Sequence, residues 1–265
     1  MTVTRGLIML VLAAAAMLTW PQHARPDGEA FQDRAVKIGA TEYHFRVFKP
    51  RGWSKKTRSP VILFLHGAGE RGDDNSAQAR VGIGPAILRQ QESFPFVVVL
   101  PQCPSNRWWT EPDMQALALK ALDQTTREFN GDPKRTYLTG LSMGGYGSWV
   151  MVSNNPTRFA ALAVVCGGVR PPPRINIPEA NTGLAALPDP YGAVAAKVGK
   201  IPVWVFHGGA DPVVPVSESR KMVEAIKAAG GNVRYNEYDG VGHNSWDKAY
   251  AEPDLFGWFL SPKRK

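Results

Sequence analysis

The chain has 265 residues, 44% hydrophobic and 20% charged, with a formal net charge of +8. That composition excludes a disordered chain, and the length suits one large α/β domain or two small ones, with a core that needs no disulfide or metal staple. The basic residues are scattered, with no Lys/Arg run interleaved with aromatics, so the charge describes a basic surface and not a nucleic-acid groove.

Arg5 precedes an uncharged, mostly apolar run of 15 residues, Gly6 to Trp20. A bilayer span wants about 20 such residues, so this run fits the core of a secretory signal. Residues 1–30 are read as a signal peptide or N-terminal anchor, with Ala24 or Ala30 as the last residue before cleavage. Residues 31–265 are read as one domain, secreted or periplasmic, with no stable membrane span once the signal is removed.

Val36–Ile38 and Tyr43–Phe48 predict a short N-terminal hairpin. Val61–Leu65, Phe96–Leu100, Thr136–Thr139, Ala161–Val165 and Val203–Phe206 are apolar throughout, as parallel strands buried on both faces require. Val233–Tyr238 alternates and ends the series. Between them the spacing predicts helices over Met114–Phe129, Gly144–Asn154 and Ser217–Ala229, and two more close the chain at Trp246–Tyr250 and Pro253–Leu260. Strands alternating with helices make an α/β domain with a mainly parallel sheet. One connection, Val169–Lys200, is long and rich in proline; it is read as a lid, a binding loop or a rigid surface excursion.

Gly67-Ala68-Gly69-Glu70-Arg71-Gly72 fits the dinucleotide pattern G-x-G-x-x-G after a strand. Its flanks do not. Asp73-Asp74-Asn75-Ser76 follow where a helix should begin, and two carboxylates there would repel phosphate. No acid ends the next strand at Val99-Leu100-Pro101. Zinc and calcium spacings are also absent, so no metal or cofactor is expected.

Gly140-Leu141-Ser142-Met143-Gly144 matches G-x-S-x-G between a predicted strand and a predicted helix. Small glycines let strand and helix meet at a strained turn that lifts a nucleophilic serine to the sheet edge. Asp211, in His207-Gly208-Gly209-Ala210-Asp211-Pro212, follows the fifth central strand. His243, flanked by glycine in Gly240-Val241-Gly242-His243, follows the last. Asp239 and Asp247 are rival acids, but the first is only four residues from His243 and reads as a loop cap. Ser142, Asp211 and His243 therefore stand as candidate nucleophile, acid and base in the chain order Ser…Asp…His of one class of serine hydrolases.

With LFLHGAGERGD, VVLPQCP, GLSMGGYGSW, HGGADPVVP and GVGHNSW, the chain resembles the α/β-hydrolase superfamily. More narrowly it is similar to secreted esterases and predicted peptidases related to feruloyl and acetylxylan esterases and polyhydroxyalkanoate depolymerases. The motifs run from about residue 35 to the C-terminus. The resemblance implies a mainly parallel sheet flanked by helices, and a carboxylic ester hydrolase working through Ser142, His243 and Asp211. It also implies an oxyanion hole from the backbone N–H groups of Ala68 and Met143, with Gly69 the alternative to Ala68. In the superfamily's strand order the strands before Cys103 and Cys166 are separated by two others, roughly 14 Å, about twice a disulfide's reach, so two free thiols are expected. The substrate implied is an ester, a small molecule or linked to a polysaccharide, with a peptidase or a non-catalytic carbohydrate-binding protein as the other readings. Trp108 and Trp109 are candidate substrate-binding residues, at least one lining the site, where it could stack on a sugar or aromatic acyl group.

Overall fold

The computed structural model describes residues 30–171, 183–262 and 264. The expected targeting segment, apart from Ala30, and the middle of the 169–200 connection lie outside the described residues.

Eight strands form one sheet: β1 (Phe31–Ile38), β2 (Thr41–Phe48), β3 (Ser59–Leu65), β4 (Val97–Pro101), β5 (Gly131–Leu141), β6 (Ala161–Val165), β7 (Val203–Gly208) and β8 (Val233–Tyr238). Their spatial order is β1-β2-β4-β3-β5-β6-β7-β8. The hairpin β1–β2 and the pair β2–β4 are antiparallel, and every other pair is parallel. This is the α/β-hydrolase fold expected from the motifs. The hairpin is longer than its apolar segments suggested. Its edge strand keeps only Phe31 and Val36 buried, so the sequence signal there is faint.

The helices are α1 (Ile83–Arg89), α2 (Pro112–Glu128), α3 (Met143–Asn154), α4 (Pro190–Val198), α5 (Ser217–Ala228), α6 (Trp246–Ala249) and α7 (Leu255–Leu260). Period-2 strand geometry divides the core into two layers. Val61, Leu63 and Leu65 of β3 pack with Leu117, Ala121 and Met151 of α2 and α3 on one face. Ile62 and Phe64 pack with Ile83, Ile87, Phe256 and Phe259 of α1 and α7 on the other.

Two helices escape the pattern reading. In α1 the sequence Ile83-Gly84-Pro85 looks like a turn, yet the helix starts after Gly82 at a φ of 60°. In α4, Pro190 looks like loop punctuation but sits at the first helical turn, where its missing N–H costs nothing. Asp189 caps that helix by accepting from the Gly192 N–H at 2.9 Å. The 169–200 connection is therefore partly a packed helix, with Val194, Ala195 and Val198 buried.

After β3 the chain goes to β4 on one side, and the next strand, β5, lies on the other. The loops leaving β3 and β5 thus diverge at a topological switch point, where open α/β sheets form their crevices. His66–Glu70 follows β3 there, and Ser142 follows β5.

Candidate active site

Ser142 occupies a turn with φ 51° and ψ −117°, a strained conformation for a side-chain-bearing residue. The turn exists because β5 and α3 meet at van der Waals distance. A Cβ on Gly140 of β5 would overlap the Gly144 carbonyl of α3, and a Cβ on Gly144 would overlap the carbonyl oxygen of Leu65 in β3. Only hydrogen fits at either position, which gives the G-x-S-x-G pattern its physical reason.

The other two groups come together from separate loops. Ser142 Oγ lies 2.9 Å from His243 Nε2. His243 Nδ1 lies 2.7 Å from Asp211 Oδ2. The two loops that carry the acid and the base touch at Gly208, where a Cβ would overlap the carbonyls of Val241 and Gly242. Asp239 and Asp247, the rival acids, are exposed and are not the partner of His243 Nδ1.

The Asp211 side chain is fully buried, whereas that of His243 is 19% exposed. Burial pushes the Asp211 carboxyl up, but hydrogen bonds from His207, His243 and the Val214 and Val213 N–H groups outweigh it. They hold the group well below the usual carboxylate range. An ionised carboxylate behind His243 fixes the Nδ1–H tautomer and leaves Nε2 to face the serine hydroxyl.

On the opposite side, His66 is fully buried. Its Nε2 accepts the Cys103 N–H at 2.9 Å, so Nδ1 carries the proton and donates to the Gly67 carbonyl at 2.6 Å. Burial is the main cause of a pKa lowered to about 4, which keeps the ring neutral. The Gly67–Ala68 peptide is trans, so pinning its carbonyl to His66 turns the Ala68 N–H the other way. The Ala68–Glu70 segment is one 3₁₀ turn, and α1 begins only at Ile83, so the glycine run opens no phosphate-binding helix. Asp74 caps the next turn, accepting from the Ser76 and Ala77 N–H groups. The Met143 N–H opens α3 and has no intrahelical acceptor.

These elements enclose a cleft of about 290 Å³ lined by Ala68, Glu70, Trp108, Ser142, Met143, Tyr146, Val214, His243 and Trp246. The Trp246 ring packs edge-on to His243 at 5.4 Å. Trp108 lines the cleft, its backbone N–H donating to the Glu111 carboxylate at 2.8 Å and the Arg71 guanidinium 5.2 Å from its ring centre. Trp109 does not line it, which corrects the expectation from sequence. Its ring is fully buried, its Nε1–H donates to the His66 carbonyl at 3.1 Å, and it fills the space left by Gly147 of α3. Trp109 is a core residue beneath the β3 loop; adjacent residues in a loop commonly point to opposite sides, and spacing alone could not say which faced the cleft.

Cys103 and Cys166 are unpaired and buried, as the strand order implies. Burial pushes both thiols up to about 12. Cys166 Sγ, an Asp211 oxygen and a His243 nitrogen lie within 4.8 Å of one another. They make a poor metal site, because burial disfavours the thiolate and the Asp211 and His243 side chains already bond each other. Among the described residues no helix is long and apolar enough to cross a membrane.

A family model for esterases matches residues 38–252. A secreted protein of Arthroderma benhamiae is 25% identical over 210 residues, covering 71% of this chain and 22% of that protein. Poly(3-hydroxyalkanoate) depolymerase C of Paucimonas lemoignei is 25% identical over 214 residues, covering 71% of this chain and 49% of that one. The chain thus spans about half the length, or less, of these curated relatives. A solved thermostable esterase superposes with a TM-score of 0.72 at 32% identity, covering 89% of this chain and 64% of that one. The chain belongs to the esterase family of α/β-hydrolases.

Proposed function

We propose that the protein hydrolyses carboxylic esters by acyl transfer through Ser142, His243 and Asp211. The observation that carries this reading is the unbroken hydrogen-bonded series from Ser142 Oγ through His243 to the buried Asp211 carboxylate, opening on a cleft. His243 takes the serine proton as Oγ attacks the ester carbonyl, and Asp211 stabilises the imidazolium that forms. The Ala68 and Met143 N–H groups receive the oxyanion, helped by the N-terminus of α3. His243 then protonates the leaving alcohol, activates water and releases the acid.

The substrates we propose are acyl esters of carbohydrates or of aromatic acids. The flat Trp108 ring in the cleft wall supports this, since aromatic faces stack on sugars and arenes. Export is part of the proposal, supported by the apolar run from Gly6 to Trp20 and by a relative named as secreted.

A panel of short acyl esters, feruloyl esters, acetylated xylan and peptides tests the reading. Ester turnover should dominate, and Ser142→Ala should lower kcat by about four to six orders of magnitude. Peptide cleavage without ester turnover, or near-normal turnover by Ser142→Ala, would overturn it.

A further inference from the structure

Asp211 has two imidazole partners, and the reaction as described uses one. The second is His207, the residue that begins the His207-Gly208 pair at the end of β7. Its side chain is completely buried. Nε2 lies 3.0 Å from the Val214 carbonyl and 3.2 Å from Asp211 Oδ2. Both are acceptors, so Nε2 carries a proton and shares it between them. On the far side of the ring, Nδ1 lies 2.7 Å from the hydroxyl of Ser219 in α5.

We propose that His207 is a positioning residue for the acyl transfer, acting on the base through Asp211. This rests on the esterase reading above and adds a group to it. The geometry explains what the residue does. Asp211 Oδ1 is held by the Val213 and Val214 N–H groups at 2.8 and 2.9 Å. Oδ2 is the oxygen that His243 uses, and His207 is its other partner. His207 also holds the carbonyl of Val214, whose N–H holds Oδ1. One ring therefore fixes both ends of the Asp211–Val214 turn and the plane of the carboxylate. Ser219 fixes the ring in turn, so the alignment of His243 is tied to a packed helix and not to the loop alone. Such outer partners set the orientation of a working imidazole–carboxylate pair, as they do around metal-bound histidines.

The same arrangement shapes the cleft. Val213 and Val214, on the turn that His207 holds, line the wall beside Ser142. A buried imidazole is an expensive way to fill space when an apolar side chain would do, and its two nitrogens both find partners, which marks a placed polar group.

The test compares His207→Leu, His207→Gln and Ser219→Ala with the parent on one soluble short acyl ester, measuring kcat, KM and the melting temperature. His207→Leu should lower kcat by about 10- to 100-fold with KM changed less than about threefold. His207→Gln, whose amide can still donate toward Asp211, should recover most of that loss. Ser219→Ala, which leaves His207 in place but frees its ring, should fall between the parent and His207→Leu. A folded His207→Leu protein with parental kcat would overturn the proposal. So would a loss that appears only as a lower melting temperature, or one that His207→Gln fails to recover while Ser219→Ala is fully active. Ser142→Ala run beside them separates the two readings. Turnover surviving there defeats the esterase mechanism, whereas its loss together with a fully active His207→Leu defeats only the role of His207.

Discussion

The same dipeptide follows β3 as His66-Gly67 and closes β7 as His207-Gly208, and the loops that leave the two strands both line the cleft, through Gly67–Glu70 and through Val213 and Val214. Both histidines are fully buried. The first spends its ring on backbone, the Gly67 carbonyl and the Cys103 N–H, and so sets the shape of a loop. The second also holds one backbone carbonyl, that of Val214, but its other partners are a carboxylate and a hydroxyl, Asp211 and Ser219, and so it sets the direction of side chains. One wall of the site is built from oriented peptide groups and the other from an oriented charge. Identical residue pairs at equivalent places in the sheet thus do different physical work, decided by what the neighbouring loop offers the ring.

Perturbing the charge wall should therefore cost rate, and perturbing the buried rings that support the backbone wall should cost stability. Between the two walls the largest effect expected is that of Asp211→Asn. The amide can take the carboxylate's place but presents a donor to His243 and removes the charge, so kcat on a short ester should fall about 10⁴-fold with the fold intact. A loss of less than tenfold would break the comparison at its charged side.

Trp109→Ala comes next. It removes the ring under His66 and should cost about 3–5 kcal/mol of unfolding free energy, read from denaturant titration. Wild-type stability would mean that the β3 loop does not depend on that packing.

The pH dependence of stability should show the buried His66. Its folded pKa of about 4 lies below the unfolded value of about 6.5, so the unfolded state binds the proton first. Stability is therefore fully present above pH 6.5 and is lost as the pH falls toward 4, by about 3 kcal/mol in all. His66→Gln should flatten that slope even if it lowers the plateau; an unchanged slope would assign it to other groups. Asp211, with its depressed folded pKa, adds a further loss that begins as the pH enters the ordinary carboxylate range and continues below it.

The smallest effect is expected at Trp108→Ala. The residue lines the cleft and is only partly buried against the core, so KM should rise about two- to tenfold with a smaller loss of melting temperature than at Trp109. An unchanged KM on every ester tried would remove Trp108 from the substrate contact.

Much of this was legible in the sequence because it rests on local necessity. The central strands are buried on both faces and read as unbroken apolar runs. The serine turn admits only hydrogen at Gly144, so its pattern is written in glycine. The three polar groups follow strand ends in order, so Ser142, Asp211 and His243 stand out in the sequence as candidates. What the sequence hid depends on contacts between distant residues. The α4 helix is concealed because prolines that punctuate loops also start helices. Trp108 and Trp109 are indistinguishable as letters, and only the packing of α3 at Gly147 decides which is buried. No motif singles out His207, because its partners Val214 and Ser219 reach it only when the loop closes and α5 packs. A polar residue ending an otherwise apolar strand was the available signal.

The central claim is that Ser142 becomes acylated. Rapid acid quench of the protein during turnover of an activated ester, followed by mass spectrometry of the digested chain, measures this directly. One acyl group per chain is expected on the peptide containing Ser142, and none in Ser142→Ala. Ester hydrolysis with no adduct at Ser142, or an adduct on another residue that persists in Ser142→Ala with full turnover, would contradict it.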